Sequence, residues 1–119
     1  MIEMKLEIAD TPISLAYGLM DRKELPKNNG MLFKFDHPMQ ASFWGKNTYI
    51  PLDVAFLDKE NKISSIKHIS PMSTRAVTSD TFCMMAIEAN SGFFDNNNIP
   101  VGSQVSFSTN SNGELIATF

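Results

Sequence analysis

Lys46, Asn47 and Thr48 follow the chain's single tryptophan, Trp44, and Asp53 comes shortly after them at the head of an apolar run. A lysine supplies a compact cation, an amide supplies donors and acceptors together, and an indole supplies a flat apolar wall. That combination suits a small anionic or polyhydroxylated ligand. The structural alternative is that Asn47 and Thr48 bond the backbone of their own loop while Trp44 fills core. For Trp44 taken alone, core is the expectation.

Glu88 sits in a second apolar run, Met84-Met85-Ala86-Ile87-Glu88-Ala89. A carboxylate in such surroundings must be paired, or its pKa must rise. Asp53 and Glu88 together could therefore act as an acid/base pair of the kind glycoside hydrolysis uses. Each could instead pair with Lys46 or Arg22, or cap a backbone amide and fix a loop, because structural ion pairs also perturb pKa values. Arg22 could grip a carboxylate with both guanidinium nitrogens and so close its segment over a sheet. Its alternative is solvent, within the charged run Asp21-Arg22-Lys23-Glu24.

Other reactive types are isolated. Cys83 is the only cysteine, so no internal disulfide or multi-cysteine metal site is possible, and its apolar setting reads as a structural thiol. His37 and His68 stand in different segments without ligand spacing, so no metal site is expected. No Gly-x-Ser-x-Gly elbow surrounds Ser42 or Ser79, and no glycine loop is built to cradle phosphate. The residues call for no cofactor and identify no catalytic residue.

The elements that must position these groups fit one domain of 119 residues. Hydrophobic residues make up 43% and charged residues 19%, as in ordinary soluble proteins. A net charge of −3 with only two arginines, Arg22 and Arg75, argues against nonspecific nucleic-acid binding. No apolar run approaches the ~18 residues of a spanning helix, and residues 1–20 lack signal-peptide regions. The expectation is a soluble protein without a membrane role, of unassigned localisation and oligomeric state.

Residues 2–8 alternate strictly, with Ile2, Met4, Leu6 and Ile8 on one face and Glu3, Lys5 and Glu7 on a wet one. Asp10-Thr11-Pro12 reads as a capped helix start, and Ile13, Ala16, Tyr17 and Met20 recur at helical steps, giving an amphipathic helix of about ten residues. Residues 31–35 form a strand that Asp36-His37-Pro38 breaks. Further strands fall at residues 41–44, 52–57, 62–69, 82–89, 104–108 and 114–119, with polar turns at 58–61 and 110–113. Residues 70–80 form the longest irregular segment before Phe82, and residues 91–102 a loop with one helical turn. About eight short strands with one short helix insertion near the N-terminus give a mainly β fold, a β-sandwich or open barrel.

Three stretches jointly resemble the family catalogued as domain of unknown function 192. They are Gly18-Leu19-Met20-Asp21-Arg22 with Leu25-Pro26 and Gly30-Met31-Leu32-Phe33-Lys34-Phe35; Phe43-Trp44-Gly45-Lys46-Asn47-Thr48 with Ile50-Pro51-Leu52-Asp53; and Ile87-Glu88-Ala89-Asn90-Ser91-Gly92 with Ile99-Pro100-Val101-Gly102. Order and spacing match over most of the chain. The resemblance implies a β-sandwich-like fold with a helical insertion and no established reaction. Two positions depart from the pattern: Gly45 stands where the family usually has methionine, and Ser103 where it has an acidic residue. Gly45 is expected to open space beside the pocket.

The functional expectation is a non-enzymatic ligand-binding or accessory domain, with a pocket around Trp44, Lys46, Asn47, Asp53 and Glu88. A small hydrolase or lyase using Asp53 and Glu88, and a purely structural or interaction domain, are the alternatives.

Overall fold

A computed structural model describes all of residues 1–119. The N-terminal alternation forms β1 (Glu3–Ala9), and the capped start forms α1 (Pro12–Tyr17). Then come β2 (Asn29–Met39), β3 (Ser42–Phe43), β4 (Leu52–Leu57) and β5 (Ile63–Ile69). They are followed by β6 (Val77–Thr78), β7 (Cys83–Asn90), α2 (Phe93–Asn96), β8 (Ser106–Thr109) and β9 (Leu115–Thr118). Seven strands form one sheet in the order β5-β4-β7-β2-β1-β9-β8, and β3 pairs with β6 in a small ribbon. The fold is mainly β, as the residue pattern predicts.

The large sheet curls until its two edges meet at one end. Lys62 bridges Gln104, and the N–H groups of Ile63 and Val105 donate to the carbonyls of Ser103 and Asn61, each at 2.9 Å. The barrel stays open, because β5 and β8 pair only through this short contact. Inside the curl lie Leu32, Ala55, Ile63, Ile87, Val105 and Ala117, all buried. Phe93 and Phe94 of α2 pack into this core with Phe119, edge to face. Strand periodicity puts a second core on the outer face, built on Met31, Phe33, Leu52, Val54, Phe56 and Ala86.

Two layers cover that outer face. One is the β3–β6 ribbon, whose Phe43 ring meets Phe33 edge-on at 4.9 Å between centroids. The other is the crossover from β1 to β2. These strands pair in parallel, Lys5 opposite Asn29 through Ala9 opposite Phe33, so no hairpin can join them. Residues 10–28 must travel back over the sheet. Leu19 and Leu25 anchor that segment in the outer core. Burying a leucine is worth roughly 1.5–3 kcal/mol, so these two side chains contribute substantially to its attachment.

Arg22 adds direction. Both its guanidinium nitrogens bond the Glu7 carboxylate, with Nη2 to Oε1 at 2.6 Å, and clip the crossover to β1. The face of β1 read as wet is thus partly roofed. The partner is neither Asp53 nor Glu88. Both side chains remain well exposed, which holds such a pair to about 1 kcal/mol or less.

Two local expectations change. The helix has six residues and none is buried; Ile13 is 82% exposed. Thr11 and Ser14 form the capping box that starts it, and Gly18, at φ +52° and ψ −127°, ends it before an amphipathic face can develop. The strand expected to stop at Asp36-His37-Pro38 runs to Met39. Its register to β7 slips between Lys34 and Met39, so Pro38 owes no donor to the ladder.

The Arg22 pair predicts a small, electrostatic signature. Arg22→Ala should cost at most about 1 kcal/mol in urea unfolding at pH 7, with the difference shrinking at high salt. Arg22 holds the Glu7 carboxyl below its ordinary pKa, so this stability is present above about pH 4.5 and is lost as pH falls through the depressed value. A loss of several kcal/mol that ignores salt would contradict the assignment.

Candidate functional site

Glu88 lies on β7, the central strand of the large sheet's antiparallel half, with Met31 and Val54 directly opposite on its two neighbours. Cross-strand partners share a face, so its side chain projects with theirs into the outer core. It is 4% exposed and forms no hydrogen bond or ion pair within the chain. Burial alone pushes its pKa up to about 8.

The carboxyl faces a cleft of about 190 Å³ between the crossover and the ribbon. Tyr17, Gly18 and Leu19 form one wall; Phe43, Trp44 and Thr48 form the other; Phe33 lies beneath. Gly18 is required here. A Cβ at that position would meet the Phe33 ring at 3.3 Å and stand 3.9 Å from Glu88 Oε1, and the positive φ disfavours any side chain.

Trp44 corrects one expectation. It is 44% exposed and lines the cleft rather than filling core, and Lys46 Nζ stands 5.1 Å from its ring centroid. Thr48 is buried and lines the same cleft, while its Oγ1 donates to the Lys46 carbonyl at 3.2 Å. Asn47 is exposed in the left-handed region at φ 55°, and its carbonyl accepts from the Asp21 N–H at 2.8 Å. It joins the turn to the crossover by backbone. Lys46 is exposed at the mouth.

Asp53 does not join them. Its strand neighbours Leu52 and Val54 face the outer core, so Asp53 faces the other side of the sheet from Glu88. There its Oδ2 accepts from the Gly92 N–H at 2.8 Å, at the start of α2, and Oδ1 lies 3.0 Å from His68 Nδ1. Asp53 thus caps a backbone amide and holds a loop. The two carboxyls cannot share a substrate across a sheet, so the acid/base geometry is absent.

His68 and Ser91 are neighbours of Asp53, a contact that residue types alone do not signal and strand register reveals. Ser91 Oγ lies 3.3 Å from His68 Nδ1, the same ring nitrogen that faces Asp53. A Ser-His-Asp relay needs the two partners on different nitrogens. This cluster lacks that arrangement. Cys83 is buried and its thiol faces the Met39 carbonyl, and nowhere do three metal-ligating side chains gather.

The DUF192 family model, described as Uncharacterized ACR, matches residues 2–107. The chain belongs to the DUF192 family. No curated protein matches it. A protein of unknown function from Novosphingobium aromaticivorans DSM 12444 has a similar crystal structure, with TM-score 0.84 and 31% identity over 87% of this chain and 74% of that one. A "putative transcription regulator" from Sinorhizobium meliloti 1021 superposes with TM-score 0.82 and 29% identity over 85% of this chain and 79% of that one.

Within the DUF192 pattern, Gly45 does not open the cleft. It is buried, its N–H donates to Ser73 at 2.8 Å, and a Cβ there would lie 2.0 Å from the Ser70 carbonyl oxygen. Backbone from residues 70–73 occupies the space that a side chain would take. Ser103, the second departure, turns its hydroxyl onto the Pro100 carbonyl at 2.6 Å, away from the cleft's residues.

Two outcomes check this geometry. Gly45→Ala should destabilise by about 1–3 kcal/mol in denaturant, since backbone must move to admit it; an unchanged midpoint would contradict the contact. For Glu88 the sign follows from its raised pKa. The unfolded carboxyl ionises near 4.5 and the folded one near 8, so stability is full below the first value and lost as pH rises toward the second. Glu88→Gln removes that loss. Its melting temperature relative to wild type should climb by about 3 °C or more between pH 5 and pH 8.5. A difference that stays flat with pH would show that Glu88 ionises normally.

Proposed function

We propose that this DUF192 chain is a small-ligand-binding domain and not a hydrolase or lyase. The observation that carries the reading is Glu88: a carboxyl with no internal partner, at the bottom of a cleft walled by aromatic rings. A carboxyl with a raised pKa and no internal partner, opening into a concave and largely apolar cleft, is a mark of a binding site. A purely structural carboxyl would be paired, as Glu7 and Asp53 are.

Size narrows the ligand. Typical drug-sized pockets span about 300–1,000 Å³, so 190 Å³ suits a single side chain or a compact metabolite better than an oligosaccharide. An anion is also disfavoured, because it would meet Glu88 while Lys46 stays outside over Trp44. The better fit is a ligand with an apolar body against Trp44 and Phe43 and a hydrogen-bonding head toward Glu88. The regulatory role named for the Sinorhizobium protein is not carried over, since Arg22 is committed to Glu7 and the chain carries net charge −3.

Trp44 is the only indole and makes a direct reporter. A fragment screen followed by its fluorescence should find saturable binders, and ligand-observed NMR should show that Trp44→Leu abolishes their binding while Asp53→Asn leaves it intact. Binders that respond to Asp53→Asn but not to Trp44→Leu would move the site to the other side of the sheet.

A further inference from the structure

The polar atoms facing the cleft have mostly spent their protons. The Tyr17 hydroxyl donates to Asp21, and the Thr48 hydroxyl donates to the Lys46 carbonyl. Ser42 Oγ lies 2.7 Å from Thr78 Oγ1, and either hydroxyl can donate to the other. Each leaves oxygen lone pairs for an incoming group. Glu88 adds two more oxygens and has no cation of its own. No backbone or side-chain donor of the chain points at it.

Acceptors at the bottom and ring faces on the walls select one chemistry. Resting on the binding reading above, we propose that the cleft takes an organic cation, an ammonium or guanidinium on a short apolar stem, whose head ion-pairs with Glu88. An ammonium brings three donors and a guanidinium five, which matches an acceptor-lined end. The stem lies against Trp44 and Phe43, and ring faces attract a cation electrostatically. The chain's own Lys46 illustrates this at the mouth, over Trp44.

Binding is then coupled to a proton. Glu88 is largely protonated at pH 7, and a cation at its side favours the ionised form, so one proton leaves to solvent as the pair forms. Few other groups complicate that titration. Its cross-strand neighbours Met31 and Val54 do not ionise, and nothing on β3 does. From the crossover, Tyr17 faces the cleft with its proton held by Asp21, and Arg22 is bound to Glu7. From the turn, Lys46 stands over Trp44, and on β7 itself the only other ionisable group is the buried Cys83.

The test uses n-butylammonium, its neutral isostere n-butyramide, and N-acetyl-lysine methylamide, titrated into the intact protein by calorimetry and NMR at pH 7. Two buffers of different ionisation enthalpy read the proton. Wild type should bind the ammonium probes with release of up to one proton and reject the amide. Affinity should rise toward pH 8, and Glu88→Gln should weaken it about tenfold or more, the loss expected for one charge-assisted contact. Glu88→Asp, which keeps the charge, should retain part of it. Tighter binding of the lysine derivative than of the free amine would mark a protein side chain as the source, and the reverse a small amine. Equal binding of n-butyramide, or ammonium binding unaffected by Glu88→Gln, overturns the cation and leaves the cleft as a neutral-ligand site. No binding by any probe also overturns the cation, and the Trp44 screen then decides the cleft by itself.

Discussion

Parallel neighbours that follow one another in sequence cannot be joined by a tight turn, and β1 and β2 are such a pair. The chain between them has to cross the sheet, and what it crosses is an apolar outer face that water would otherwise reach. Leu19 and Leu25 sink into that face, Arg22 clips the segment to Glu7, and Asp21 bonds the turn after Trp44 through its backbone. The cleft is the gap left between this crossover and the β3–β6 ribbon. Glu88 is desolvated because the crossover roofs it, and it stays reachable because Gly18 adds no side chain above it.

Local features were legible from residue types. The alternation in β1, the Thr11 cap before Pro12, the turns at Asp58 and Asn110, and the apolar runs of β4 and β7 all appear where side-chain period and turn chemistry place them. What could not be read is set by pairing. That β1 and β2 run parallel, that β2 continues past Pro38 by slipping register, and that Asp53 and Glu88 face opposite sides all depend on partners distant in sequence. A residue cannot announce which face it will occupy until its strand has a register.

The stretch from Phe43 to Asp53 shows the same division within one segment. Phe43 packs on Phe33 and Phe56, while Trp44, next to it, turns out to the cleft. Gly45 turns inward against Ser70, so the missing side chain lets a neighbouring loop close in and creates no room for a ligand. Asp53 belongs to the α2 side of the sheet. The polar groups that looked like one site are two, and the set around Trp44, Thr48 and Glu88 lines one cleft that Asp53 does not enter.

Whether the cleft can bind as proposed turns on the protonation of one carboxyl. Its most direct test is the side-chain carbon resonance of Glu88, followed by NMR from pH 3 to pH 10 in the ligand-free protein with Glu88→Gln to assign it. A single titration centred near 8 is expected, set by burial without a partner. A midpoint near 4.5 would mean that water or an unseen partner already satisfies the group, and the cleft would lose its reason to bind.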